Sequence, residues 1–291
     1  MAARPRPLAV GVDVGGTWIR IAARTGGHRA ARTAARVTAI ADLETYLSTV
    51  WKQRGWSGRD VAAMVVASKG IWTRAECDRT ARRLARFARR VRVIPDAQAA
   101  ALAALDGRPG VLVLSGTGSI VVGHDGRGRW ARAGGFGAFL GDEGSGFWLG
   151  REWVRATTGP GDFEKIRAFA HASQPVTAIA ALAPMVLARA RRGDVRAGRV
   201  VREGQRGLAD CTLHVARRLR LTPPVTLSWA GSVMGDAWFR TGLARAVRRG
   251  GLRMRWVAPA AEPLVAAARM AEALAGTRPL STGPHSAKPH R

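Results

Sequence analysis

The pattern that most limits what this chain can fold into is a short unit written twice: an apolar strand, a turn of glycine and hydroxyl residues, and an apolar return strand. The first copy runs from Leu8 to Val14, turns through Gly15-Gly16-Thr17 and returns over Trp18 to Ala23. The second runs from Val111 to Leu114, turns through Ser115-Gly116-Thr117-Gly118-Ser119 and returns over Ile120 to Gly123. Short apolar runs bounded by glycine read as buried strands. Each copy opens one half of the chain, so the repeat predicts two halves built alike.

The rest of the pattern is α/β. Asp42 to Arg54 carries Leu43, Tyr46, Leu47, Val50 and Trp51 on one helical face. Val61 to Ala67 and Val91 to Ile94 predict strands, separated by a basic helix over Ala75 to Arg90. Asp96 opens an alanine-rich helix, Ala97 to Leu105. The polar break Asp106-Gly107-Arg108-Pro109-Gly110 sets the boundary between an N-terminal lobe, 1–106, and a C-terminal lobe, 107–275. Residues 151–221 read as mostly helical, with Asp162 and Asp194 as N-caps. Val225 to Ala230 is a strand ended by Gly231-Ser232, and Glu262 to Ala275 is a helix with Pro263 in its first turn. The tail, 276–291, is rich in Pro, Ser and His and is expected to be disordered.

Composition removes several classes. The formal net charge is +27, which raises the question of a polyanionic partner. Lysine occurs only at Lys52, Lys69, Lys165 and Lys288, asparagine is absent, and the arginines are spread along the whole chain. That pattern fits a GC-rich coding bias, and no nucleic-acid partner is expected. Cys77 and Cys211 form no C-x-x-C pair, which argues against a disulfide scaffold, a zinc ribbon or a cluster held within one chain. No apolar run approaches the roughly 20 residues of a membrane span, and no signal peptide is visible. A cytoplasmic protein without a membrane partner is therefore expected.

A phosphate chain needs converging backbone N–H donors with no Cβ in the way, which glycine allows, while Ser and Thr add hydroxyls. The two turns supply both, without a P-loop signature. Asp13, at the end of the first strand, could hold Mg²⁺, which favours one or two carboxylates plus phosphate oxygens. Asp96 reads either as a helix N-cap or as a general base kept ionised by the helix N-terminus. The stretch Gly134-Gly-Phe-Gly-Ala-Phe-Leu-Gly-Asp-Glu-Gly-Ser-Gly146 is too rich in glycine for an ordinary loop, and Asp142-Glu143 is an acidic pair in a basic chain.

These strings, with Asp96-Ala97 and Ala230-Gly-Ser-Val233, resemble the N-acetylglucosamine kinase branch of the BadF/BadG/BcrA/BcrD-type ATPase family, within the sugar kinase/Hsp70/actin superfamily. The match runs in order from about residue 8 to 275. The resemblance implies two actin-like (ribonuclease H-like) lobes with a central nucleotide cleft, and ATP with Mg²⁺. It implies that Gly15, Gly16 and Thr17 form the first phosphate motif, Gly116, Thr117 and Gly118 the second, and Gly231 and Ser232 the adenosine motif. Asp96 matches the catalytic aspartate, which also contacts the sugar, and Gly135, Phe136, Gly137 and Asp142 match the sugar-side loop. The asparagine that eukaryotic-type members carry after the first hairpin has no counterpart here. Ala266 and Ala267 stand where glycine is frequent. The expectation is a homodimeric kinase acting on a small polar acceptor, an amino sugar first. The alternative is an ATPase that drives conformational change in a partner protein.

Overall fold

In a computed structural model of the chain, residues 7–15, 18–26, 28–36 and 42–276 are described, apart from the side chain of Lys165. They form two compact units. One joins the residues up to Pro95 with those from Ala267 onward, and the other is Asp96–Ala266.

The first unit carries β1 (Leu8–Val14), β2 (Trp18–Thr25), β3 (His28–Arg36), α1 (Leu43–Arg54), β4 (Val61–Ser68), α2 (Arg74–Arg83) and β5 (Val91–Pro95). The second carries α3 (Asp96–Ala104), β6 (Gly110–Ser115), β7 (Ser119–His124), β8 (Trp130–Gly134), α4 (Gly137–Leu140), α5 (Gly146–Thr157), α6 (Phe163–Ala170) and α7 (Pro175–Ala180). It continues through α8 (Ala183–Arg191), α9 (Val195–Arg218), β9 (Val225–Ala230), α10 (Ala237–Arg249) and β10 (Met254–Trp256). The unit boundary falls inside α11 (Pro263–Gly276).

The duplication is literal. The sheet orders are β3-β2-β1-β4-β5 and β10-β9-β6-β7-β8. In each, the motif strand pairs antiparallel with its return strand and parallel with the strand that follows a helix. The apolar runs explain why: Val10, Val12, Val111 and Val113 are fully buried, so the motif strands lie at the middle of their sheets. In the first unit Val14, Ser68 and Pro95 stand level across β1, β4 and β5. The Lys69 backbone N–H donates to Val14 at 3.0 Å. Such carboxyl ends of parallel strands are where open α/β sheets take ligands.

Several expectations change. The helix expected over Ala75 to Arg90 ends at Arg83. A short 3-10 turn, Ala85–Phe87, follows, and Ala88 is extended. This lets Phe87 enter the core, where its carbonyl accepts the Trp51 indole N–H at 3.0 Å. The break expected at 106–107 falls inside the second unit. The alanines of α3 pack with Leu105, Leu112, Ile120 and Val122 in one apolar cluster, so α3 belongs with β6 and β7. Asp194 caps α9 through the Arg196 and Ala197 N–H groups, as expected. Asp162 does not cap α6; its carboxylate accepts from the Gly159 N–H instead. The residues of the tail from 277, and Gly16 and Thr17, lie outside the described residues.

Candidate active site

In the second unit, three glycine-bearing segments converge. The first is the turn between β6 and β7. The Gly116 N–H donates across it to the Gly118 carbonyl at 2.9 Å. The second is Gly231-Ser232 at the end of β9. Gly231 has φ +93°, and a Cβ there would strike the Ser115 carbonyl. The Val233 and Met234 N–H groups donate to that same carbonyl at 3.0 and 3.2 Å, so β9's end is wrapped over the turn. Glycine at 231 is therefore demanded twice, by φ and by contact.

The third segment is Asp142 to Ser145. The Ser115 hydroxyl donates to the Gly144 carbonyl at 2.8 Å and the Ser119 hydroxyl to the Glu143 carbonyl at 2.9 Å. The Gly146 and Phe147 N–H groups donate to Gly116 and Thr117 at 2.7 and 3.1 Å, and the Ser145 hydroxyl accepts from the Trp148 N–H. The turn and the N-terminus of α5 are thus locked together. A side chain at Gly118 would sit 2.7 Å from the Asp142 Oδ2, so the carboxylate lies directly against the turn.

Asp142 is buried and adopts φ +61°. Burial pushes its pKa above the ordinary carboxylate range, against the opposing pull of the Ser119 and Gly137 N–H groups that it accepts. Through them it ties the glycine-rich loop to the turn. Gly135 and Phe136 precede α4 in that loop, and Phe136, Phe139 and Leu140 are exposed.

Beside this junction is a cavity of about 400 Å³, reached by Gly116, Thr117, Ser232 and Val233 on one side and by Ala180, Pro184 and Leu187 of α7 and α8 on another. Arg191 and Asp236 close it with an ion pair of 2.6 Å. A larger cavity of about 650 Å³ between α5, α8 and the start of α9 touches none of the glycine segments. The α7–α8 wall went unread in the sequence, because small apolar helical residues look the same in a core and in a pocket.

In the first unit, Asp13 is buried at the carboxyl end of β1, and Arg20, opposite it on β2, reaches it at 3.8 Å. Gly15 closes the hairpin by donating to the Trp18 carbonyl at 3.0 Å. Among the described residues, no group of three or more His, Cys, Asp or Glu side chains is placed to hold a metal ion. Mg²⁺ on a polyphosphate asks less than that, and the single carboxylate of Asp13 suits it. Asp96 is the first residue of α3 and is half-buried. Its Oδ1 accepts the Ala97 N–H at 2.7 Å.

Comparison with known proteins bears on the family and the fold. A profile of the BadF/BadG/BcrA/BcrD ATPase family matches residues 10–271. An N-acetylmuramic acid/N-acetylglucosamine kinase of Clostridium acetobutylicum is 45% identical over 64 residues, which are 22% of this chain and 21% of that protein. A candidate N-acetylglucosamine kinase structure from Chromobacterium violaceum superposes with a TM-score of 0.66 at 23% identity, covering 93% of this chain and 99% of the other. A glucokinase of the ROK family from Streptomyces griseus, in complex with glucose and AMPPNP, gives a TM-score of 0.54 at 21% identity, covering 91% and 99%. These two likenesses establish the fold, an α/β chain of two actin-like halves. The stretch shared with the Clostridium kinase spans about a fifth of that relative's length.

Proposed function

The chain belongs to the BadF/BadG/BcrA/BcrD ATPase family, and from that premise we propose that it is an ATP-dependent kinase acting on a hydroxyl of a small polar acceptor, with an amino sugar such as N-acetylglucosamine or glucosamine as the first choice. The observation that carries this reading is the junction of Gly116–Gly118, Gly231-Ser232 and Asp142 beside a 400 Å³ cavity. Exposed backbone and hydroxyls face one end for phosphate, and a small apolar wall suits a nucleoside at the other. The kinase names of the relatives support phosphoryl transfer to a sugar.

In this reading Thr117 and the glycines of the turn hold the nucleotide phosphates, with Gly15, Gly16 and Thr17 as the corresponding motif of the first unit. Gly231 and Ser232 face the adenosine. Asp96 accepts the acceptor hydroxyl's proton while that oxygen forms its bond to the γ-phosphorus, and the bond to ADP breaks with the electron pair leaving on ADP. When bound, Mg²⁺ offsets charge on the phosphates, and Asp13 would hold it. Asp96, Gly135, Phe136, Gly137 and Asp142 hold the acceptor. The protein works as a homodimer in the cytoplasm, which light scattering and cell fractionation test; among the described residues no helix is long and apolar enough to cross a membrane. The partner-driving alternative is less favoured, because burial pushes the Cys211 thiol up to about 11, away from the thiolate a cluster needs.

The test is an ADP-release assay across amino sugars, N-acetyl sugars and plain hexoses, with an acceptor-free blank. Stimulation by an amino or N-acetyl sugar tenfold beyond glucose supports the substrate assignment, and equal rates on all of them contradict it.

Asp142→Ala is expected to lower acceptor kcat/KM about tenfold or more, the size of one lost charged hydrogen bond of roughly 1.5–3 kcal/mol. An unchanged acceptor kcat/KM removes Asp142 from the acceptor's contacts. The pH dependence gives a separate check. Because burial raises the Asp142 pKa, the protonated form favours folding. That stability is present below the ordinary carboxylate range and is lost as pH rises through the raised value. The alanine variant should lack this slope in melting temperature against pH.

A further inference from the structure

On the far side of the Arg191–Asp236 ion pair lies a second cavity, also of about 400 Å³, between α9 and α10. Four arginines line it: Arg202 and Arg206 from α9, Arg245 and Arg249 from α10. No carboxylate does. Trp238 forms part of its wall and is partly exposed, with the Arg191 guanidinium 5.6 Å from its ring centre. Gln205, buried, donates to the Phe239 carbonyl at 3.1 Å and joins the two helices beneath the groove.

The charges are poorly answered by the protein itself. Glu203 reaches Arg206 at 3.9 Å, and among the described residues no carboxylate pairs with Arg202, Arg245 or Arg249. Both arginine pairs are spaced i,i+4, where like charges oppose the helix. Some exposed arginines elsewhere in the chain do find acids, as Arg83 does with Glu44 and Arg129 with Asp125. Arg202 lies back over Gly198, where a Cβ would come within 3.1 Å of its Nη1. Arginines brought to one groove from two helices offer the fork geometry that suits a phosphate. An indole wall adds a flat apolar face, and the volume falls in the range of small-molecule sites.

We propose that the α9–α10 groove is a second anion site, which takes a small ring-bearing phosphate ester with its phosphate on Arg202, Arg206, Arg245 and Arg249 and its ring on Trp238. It does not depend on the kinase reading, since none of these residues lines the cavity at the glycine turns. A phosphorylated sugar and a nucleoside monophosphate share the required chemistry. A nucleic-acid backbone is the less favoured occupant, because the four arginines share one groove of about 400 Å³ rather than form a long track.

Calorimetric titration of the full chain with glucose 6-phosphate, AMP and inorganic phosphate tests this. A saturable site with one ester per chain is expected. The exchange R202Q/R245Q should weaken it at least tenfold. The control R199Q/R248Q removes the same charge from the same two helices outside the groove and should change it less than twofold. Trp238→Ala should remove the advantage of the better ester over inorganic phosphate. Neither exchanged pair is buried, so folding is preserved and a melting curve confirms it. Equal loss in the two exchanged pairs means general surface charge and overturns the proposal. So does the absence of a saturable site, or a short RNA duplex that outcompetes every ester. Loss of nucleotide binding in a Gly231→Val chain that keeps the ester site would separate a failure here from a failure at the turns.

Discussion

Asp96→Asn is expected to yield a chain that folds, melts within a few degrees of the parent and binds ATP as tightly, yet transfers phosphate at least about 100-fold more slowly. The amide oxygen of asparagine can still accept the Ala97 N–H that the Oδ1 accepts at 2.7 Å, so the start of α3 keeps its local bond. What disappears is the charge and the capacity to take a proton. General-base contributions of roughly 10²–10⁴-fold set the expected loss. If Asp96 were only a helix-end residue, the variant would be nearly silent in both stability and rate. Acceptor-dependent turnover at the parental rate would remove Asp96 from the mechanism.

Gly231→Val is expected to abolish useful nucleotide binding. Two penalties add. The backbone at φ +93° is strained for any residue with a Cβ, and that Cβ meets the Ser115 carbonyl, which holds the Val233 and Met234 N–H groups. Strain and overpacking of roughly 1–3 kcal/mol each would weaken ATP by about 100-fold if they act on the turn alone. Gly116→Ala provides the contrast: its Cβ meets nothing nearer than 3.6 Å, so it should leave the melting temperature unchanged. ATP affinity for Gly231→Val within threefold of the parent, by calorimetry, contradicts the placement of the nucleotide at this turn.

The parts of the fold that the sequence made legible are those where burial imposes a pattern. Over residues 8–12 and 111–114 the motif strands carry no polar side chain, because they lie at the middle of their sheets. That same burial made the repeat visible, and the two sheets turn out to share one strand order. β3 was missed for the opposite reason. Its sequence, HRAARTAAR, holds small and basic residues with no large apolar side chain, and this edge strand owes its existence to pairing with β2. α10 was missed although Phe239, Leu243, Ala244 and Val247 are buried at helical spacing, because four arginines and a glycine dilute the signal. β10 has three residues and no pattern to read.

The candidate site divides along similar lines. Glycine demanded by close approach left a mark in the sequence, as at Gly118 and Gly231. The link between Asp142 and the Ser119 and Gly137 N–H groups, and the ion pair of Arg191 with Asp236, join residues through space. No local pattern announces them. The acidic pair Asp142-Glu143 stood out by charge, but its two members separate in role. The Asp142 carboxylate faces Gly118, while the Glu143 carbonyl is held by Ser119.

The central claim is that the phosphoryl group goes to a sugar hydroxyl rather than to water. The direct measurement is the fate of the γ-phosphate: ATP labelled with ¹⁸O in its γ-phosphoryl oxygens is incubated with the protein, Mg²⁺ and N-acetylglucosamine or glucosamine, and the products are weighed by mass spectrometry. The account predicts one labelled sugar phosphate for each ADP formed, with negligible labelled inorganic phosphate and little ADP when the sugar is left out. ADP forming at the same rate with and without the sugar, with the label recovered as inorganic phosphate, would contradict it.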